Sequence, residues 1–433
     1  MFDVKDKPKM VERAMLVGLY FDKIQQKKAQ ELLDELSELV ETLGINIVKE
    51  GLFFVREKKP KFLLGSGKVQ EIKEIVKKNN CDVLVFDETL SPSQQRNWEA
   101  ELSNILVIDR QEIIIDIFAM RARTQEANLQ VELARLNYNV PRLQKAWSHL
   151  GRQRGGGGVT QRGEGEAQLE LDQRMVRNRI SAVKKELNQV IQIRKTQRKK
   201  RIRIPLPSAA IVGYTNAGKS SLLNRLTNST IFVQDQLFAT LDPTTRRLIL
   251  PSKKVVLLSD TVGFIRKLPH DLVNAFKATL EEALIADFLI HVLDASSPSA
   301  IDHYETTLSV LKSLGAGEKK MIVVLNKMDL IPSPIAKKTQ KLQFPNAFAI
   351  SVKENQGIDD LQKAIDSELN QQVQFMHLKI PHNRYDLVHN LYKNGQIELE
   401  KHLSDGVLLK VSVPNRFVSS LEPYSFLDKT IIP

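Results

Sequence analysis

The chain has 433 residues, a formal net charge of +12, 42% hydrophobic and 26% charged residues, and a single cysteine, Cys81. That length suits two or three domains, the apolar fraction excludes global disorder, and one cysteine excludes an internal disulfide, as in a reducing compartment. The cationic excess favours an anionic partner, of which nucleic acid is the commonest.

The opening residues M-F-D-V-K-D-K mix charges and lack an apolar signal core. No window approaches the roughly 18 apolar residues of a membrane span. A soluble, cytoplasmic protein is expected. From Arg13 to Arg110 strand and helix patterns alternate. Ala14 to Tyr20 reads as a strand, and Leu32, Leu36, Leu39 and Leu43 recur at helical spacing. A second strand is expected around Ile45 to Val55, a helix from Val69 to Lys78, then strands Val83–Phe86 and Ile105–Ile108. Such alternation implies a small, mostly parallel βαβ sheet. Cys81, beside a strand, reads as a small core residue. Asp87 and Asp109 fall where such sheets bind ligands, although a strand-ending Asp also serves as a turn or helix cap. The stretch from Gly65 to Lys68 is read as a turn.

From Gln111 the texture changes. Ile114 to Tyr138 reads as one long helix with Leu129, Leu133 and Leu136 on one face. A second runs from about Gln168 to Arg198, where Val176, Ile180, Val183, Leu187 and Val190 make a helix-pairing seam. The two form an antiparallel hairpin with Pro141 to Glu166 at its tip. That tip carries Arg152, Arg154, Gly155, Gly156, Gly157, Gly158 and Arg162, with Trp147 and His149 interleaved. Glycines allow close backbone approach, and guanidinium groups bind phosphate and stack on bases, so RNA contact is favoured over a flexible linker. The basic run Arg194 to Arg203, followed by Pro205 and Pro207, marks a boundary and reads equally as solvated linker or phosphate contact.

Ala209 to Val212 is a short apolar strand. It leads into Gly213, Tyr214, Thr215, Asn216, Ala217, Gly218, Lys219 and Ser220, and a helix opens at Ser221. Strand, G-x-x-x-x-G-K-S and helix together are the context of a phosphate-binding loop, with Lys219 on the phosphates and Ser220 on Mg²⁺. Phe238, Ala239, Thr240, Leu241 and Asp242 then form a candidate switch, in which Thr240, Thr244 and Thr245 compete as the Mg²⁺ ligand. The strand from Val255 ends in Asp260, Thr261, Val262 and Gly263, the D-x-x-G in which Asp260 holds Mg²⁺ through water and the Gly263 amide meets the γ-phosphate. The next strand ends in Asn326, Lys327, Met328 and Asp329. Asp329 accepts from both N1–H and the exocyclic amine of guanine, donors that adenine lacks. Ser351, Val352 and Lys353 follow a further strand and lie near the guanine oxygen. This ordered set specifies GTP over other nucleotides. Phe264 stands where many GTPases carry a water-orienting glutamine, so slow intrinsic hydrolysis accelerated by a partner is expected.

Beyond it, strands Val373–Ile380 and Gly406–Val413 flank a helix from His382 to Lys393. The expected fold is α/β: an N-terminal βαβ domain (1–110) with a helical hairpin (111–203), a P-loop GTPase domain (204–371) with a doubly wound, mostly parallel sheet, and a small α+β appendage (372–433).

The stretches Phe86 to Asn97, Val107 to Arg110, Asp116 to Thr124, the glycine-rich tip, Leu237 to Asp242 and Asp260 to Phe264 resemble the HflX family of GTPases across nearly the whole chain from Ala14. The resemblance implies a cytoplasmic GTPase, cycling between GTP and GDP with Mg²⁺, that binds the large ribosomal subunit and its RNA and splits stalled or idle ribosomes. An action in ribosome assembly or on another RNA is the alternative. The resemblance selects Thr240 among the three threonines and implies Lys219, Thr240 and Gly263 as the catalytic set. It assigns RNA contact near the peptidyl transferase centre to the tip around Gly155 to Glu166. There the family pattern R-G-P-G-E is replaced by Arg162-Gly-Glu-Gly-Glu166. Off the ribosome a monomer is expected.

Overall fold

The computed structural model describes residues 11–103, 105–153, 160–201, 206–228, 237–241, 243–267, 282–371, 373–394 and 396–426. Backbone contacts divide the chain into two units. The first comprises Met1–Ile191, Val233–Asp242 and Val262–Leu280; the second comprises Gln192–Phe232, Pro243–Thr261 and Glu281–Pro433.

In the first unit, four parallel strands run in the order β2-β1-β3-β4, with β1 at Arg13–Tyr20, β2 at Asn46–Phe54, β3 at Val83–Phe86 and β4 at Leu106–Asp109. The interior of β1 is buried throughout, as a strand covered on both faces must be. Helix α1 (Gln26–Thr42) buries Leu33, Leu36, Leu39 and Val40, spaced along one face. Each such leucine contributes about 1.5–3 kcal/mol. Helix α3 (Pro92–Glu101) starts with Pro92 behind a reciprocal Ser91–Gln94 capping box. Its Trp98 is fully buried among Phe62 and Phe86, and the indole N–H donates to the Phe62 carbonyl. Cys81 lies in this core, where burial raises its thiol pKa. The stretch expected as a turn at Gly65 is instead the N-terminus of α2 (Ser66–Lys78), with Gly65 as its N-cap.

The single helix expected from Ile114 to Tyr138 is two. Helix α4 (Arg110–Arg121) ends at an extended Ala122, and α5 (Gln125–Gln153) begins after Thr124, whose hydroxyl caps the Ala127 N–H. The apolar spacing continued across this cap and hid it. Helix α5 also continues through Pro141, where the sequence places the start of the tip. One residue further on, Arg142 is tied to Tyr138, Gln95, Leu90 and Asp109, and this tertiary anchoring overrides the proline's cost. Helix α6 (Thr160–Arg201) returns alongside, with Arg179 in bidentate contact with Glu132 and Val183 fully buried in the seam. The expected tip residues Arg154 and Gly155 to Gly158 lie outside the described residues, and for Arg152 and Arg162 only the helical backbone is described.

In the second unit, six strands run in the order β10-β9-β8-β5-β7-β6. These are β5 (Ser208–Gly213), β6 (Thr244–Ile249), β7 (Val255–Asp260), β8 (Phe288–Asp294), β9 (Met321–Asn326) and β10 (Phe348–Ala349). Only β6 is antiparallel, against β7. The order reverses at β5, next to β8, so the loop after β5 sits at a topological switch point. Helices α7 (Lys219–Thr227), α8 (Ala300–Leu314), α9 (Pro334–Gln343) and α10 (Ile358–Gln371) connect the strands. A three-stranded antiparallel sheet follows, β11-β13-β12, with β11 at Val373–Ile380, β12 at Gln396–Leu403 and β13 at Gly406–Pro414; α11 (Tyr385–Asn394) lies between β11 and β12, and α12 (Asn415–Leu421) follows β13. Strand β12 was not expected, because the alternation of Ile397 and Leu399 with glutamates is short and stops at Lys401 and His402. Among the described residues no helix is long and apolar enough to cross a membrane.

Candidate nucleotide site

The loop from Gly213 to Gly218 can be built only with glycine at two positions. Gly213 has φ +150, and a Cβ there would stand 2.2 Å from the Val292 carbonyl oxygen. Gly218 has φ +92, and a Cβ would meet the Asn326 side chain at 2.3 Å. A side chain at either position would push the strand or the Asn326 amide away. Asn216 supplies a further left-handed residue at φ 58. Tyr214 stacks flat on His303 of α8 at 3.8 Å and 11°, a support that no sequence pattern announced.

Lys219 opens α7 and is buried, with its ammonium donating to the Tyr214 carbonyl at 2.7 Å. Burial lowers its pKa to about 8, partly offset by the Asp260 charge. The Ser220 hydroxyl donates to the Asp260 carboxylate at 2.6 Å. Asp260 is fully buried at the end of β7, and the next residue, Thr261, donates to the Ile211 carbonyl at 2.7 Å, joining β7 to β5. A hydroxyl and a carboxylate side by side at a phosphate loop form the hard oxygen set that suits Mg²⁺. His291 on β8 is fully buried against Tyr304, and burial, with the Lys219 charge, pushes its pKa down to about 3; it is a neutral wall.

Two strand ends carry the residues expected to read the base. Asn326 donates to the Ala217 carbonyl at 2.9 Å and accepts from the Val352 N–H at 3.2 Å, bridging the phosphate loop and the loop after β10. Lys327 adopts φ 61 and pairs with Asp294 at 2.8 Å, and the Met328 N–H donates to the Ile350 carbonyl. The Ser351 hydroxyl donates to Asp329 at 2.6 Å, which holds that carboxyl below the usual range. Lys353 is exposed beyond it. The second unit thus gathers the residues from Gly213 to Ser220, Asp260 and Thr261, Asn326 to Asp329, and Ser351 to Lys353.

Thr244 and Thr245 are strand residues of β6, and the Thr245 hydroxyl is bonded to Ser259 at 2.8 Å. Thr240 lies in the irregular stretch before it. Phe238, Ala239, Thr240, Leu241, Val262 and Gly263 belong to the first unit. There Phe238, at φ 54, buries its ring edge-on against Phe118 of α4 with centroids 4.6 Å apart. Leu241, Val262 and Phe264 are buried as well. Phe264 presents no hydrogen-bonding group, in keeping with a packing role. Asp242 lies outside the described residues. Asp109 is the N-cap of α4, accepting from the Glu112 N–H, and Asp87 is paired with Arg110; the capping alternative describes Asp109.

Three family models match consecutive stretches: "GTP-binding GTPase N-terminal" at 30–119, "GTP-binding GTPase Middle Region" at 121–201, and "50S ribosome-binding GTPase" at 208–327. Curated relatives include GTPase HflX of Akkermansia muciniphila, 50% identical over 434 residues, covering 98% of this chain and 99% of that protein. GTPase HflX of Escherichia coli K12 is 42% identical over 406 residues, covering 93% and 94%. Among solved structures, a GTP-binding protein from Sulfolobus solfataricus in complex with GDP is 26% identical, covering 83% of this chain and 99% of that one with a TM-score of 0.44.

Proposed function

The chain belongs to the HflX family of GTPases and is itself a GTPase, and from that premise we propose that it binds the large ribosomal subunit and splits stalled or idle ribosomes. One observation supports this reading above the others: a guanine-type nucleotide site and a paired helical hairpin bearing a cationic, glycine-rich connection occur in one chain.

In this reading Asp329 accepts both guanine donors, Asn326 and Val352 frame the base edge, and the Lys327 stem covers the ring. Lys219 neutralises the β- and γ-phosphates against the amides of Gly213 to Ser220. Ser220 and Thr240, with Asp260 beside Ser220, would hold Mg²⁺, and the ion would supply neutralisation of phosphate charge. The Gly263 amide meets the γ-phosphate. Thr240 and Gly263 are set only with the triphosphate present, which makes the two stretches a switch. Arg152, Arg154 and Arg162 contact ribosomal RNA phosphates, and Gly155 to Gly158 permit close approach. The protein acts in the cytoplasm as a monomer off the ribosome.

Sedimentation of the full chain with isolated large subunits tests this. Co-migration with a non-hydrolysable GTP analogue, and its loss with GDP, is the expected result. Co-migration with small subunits, assembly intermediates or transfer RNA instead would favour action on another RNA.

A further inference from the structure

We propose that Glu35, Asp87 and Arg110 form a relay that couples the segment following D-T-V-G to helix α5, the first arm of the hairpin. The proposal rests on the reading that GTP controls hairpin engagement, and it names the residues that carry the signal. Every contact in it lies within the first unit.

At one end stand Arg266 and Lys267, three and four residues after Gly263. Arg266 is bonded to Glu35 at 3.2 Å and lies 3.6 Å from Glu31, both on α1. Lys267 reaches Asp87 and Glu88 after β3, each at 2.6 Å. Its φ of 56 lies in the left-handed region, so the backbone is held in a conformation a lysine seldom adopts.

In the middle is Arg110, 2% exposed, pairing with Glu35 and, at 2.7 Å, with Asp87. The same two carboxylates are therefore shared between the buried arginine and the post-Gly263 segment. Its neighbour Asp109 is fully buried and caps α4. It accepts from the Tyr138 hydroxyl at 3.1 Å and from Arg142 at 3.3 Å, both on α5. Arg142 also places its guanidinium carbon over the Tyr138 ring, 3.3 Å from the centroid, and bonds the Leu90 carbonyl.

Charge balance makes this chain of contacts responsive. Glu31, Glu35, Asp87 and Glu88 face Arg266, Lys267, Arg110 and Lys58. If the nucleotide state draws Arg266 and Lys267 away, two of those four cations leave. Arg110 already pairs with both Glu35 and Asp87, so losing Arg266 and Lys267 would make it redistribute its bonds between the two buried carboxylates. Arg110 and Asp109 are adjacent in the chain, so that redistribution moves the anchor of Tyr138 and Arg142.

Amide hydrogen exchange on the full-length protein tests the relay, read over residues 125–142 with GDP and with a non-hydrolysable GTP analogue. In the wild type the two states should differ by about fivefold or more in protection. Lys267→Met and Arg266→Met should each reduce the difference, and the double variant should abolish it, while Lys267→Arg keeps it. At the far end, Tyr138→Phe should weaken the difference in α5 without changing exchange around Asp87. An undiminished difference in the double variant, or no difference in the wild type, overturns the relay. Subunit binding separates the two readings. If binding follows the nucleotide but α5 exchange does not, the relay alone fails. If α5 follows the nucleotide but no subunit binds, the relay stands and the ribosomal reading fails.

Discussion

The Ser351 hydroxyl donates to Oδ1 of Asp329 at 2.6 Å, and the bond keeps Asp329 ionised and oriented. An ionised carboxylate only accepts, which matches the two adjacent donors of guanine. Asp329→Asn should lower the preference for GDP over ADP by about 10⁴. It should also improve binding of a purine carrying a carbonyl in place of the amine, because the amide now donates. Competition binding with the three nucleotides checks this, and an unchanged guanine preference contradicts it.

Lys219 should make nucleotide affinity sensitive to alkaline pH. Burial leaves it at about 8 without ligand, and bound phosphates favour the charged form and raise it. Binding therefore takes up a proton above pH 8. Affinity for GDP should be flat below that point and fall about tenfold by pH 9. Because the unfolded lysine titrates near its ordinary 10.5, the ligand-free fold should gain stability from about pH 8 to that value. Titration calorimetry at pH 7, 8 and 9 checks the first statement, and a flat profile contradicts it.

Thr240 and Thr245 should separate by effect. Thr240→Ala should lower subunit-stimulated turnover by on the order of 10² by removing a phosphate-side ligand. Thr245→Ala loses only the Ser259 bond and should cost about 1 kcal/mol of stability with turnover intact. Equal turnover losses would overturn the assignment.

Arg110→Met should be among the most damaging substitutions in the first unit. It removes the buried cation that Glu35 and Asp87 share and leaves them to Arg266 and Lys267, at a cost of about 3 kcal/mol. The lowest calorimetric transition should fall by roughly 10 °C. A shift under about 2 °C would show that the pair re-forms elsewhere.

Phe264 is fully packed and offers no hydrogen bond to a water. Phosphate release by the isolated protein should therefore be slow and rise by at least about 10² with large subunits. Equal rates with and without subunits would contradict that.

The framework of the fold was legible where local chemistry decides it. Strands β1, β3, β5 and β9 are short apolar runs ending at glycine or polar residues, and the glycines of the phosphate loop are required by their φ and by the closeness of Val292 and Asn326. The elements carrying the candidate nucleotide residues could be placed for the same reason. What failed depends on partners distant in sequence. The break at Thr124 is a cap concealed by apolar spacing on both sides. The passage of α5 through Pro141 depends on anchors at Leu90, Gln95 and Asp109. The pairing of Arg266 with Glu35 spans 231 residues, and two basic residues in a row carry no sign of it.

The measurement that reaches the central claim most directly is a gradient profile of intact ribosomes incubated with the full chain. With a non-hydrolysable GTP analogue, the account predicts that the intact peak converts into separate subunits, with the protein on the large one. Replacing Arg152, Arg154 and Arg162 with glutamine should prevent that conversion while GDP affinity is retained. An unchanged ribosome peak with the wild-type protein, or equal conversion with the neutralised hairpin, would contradict it.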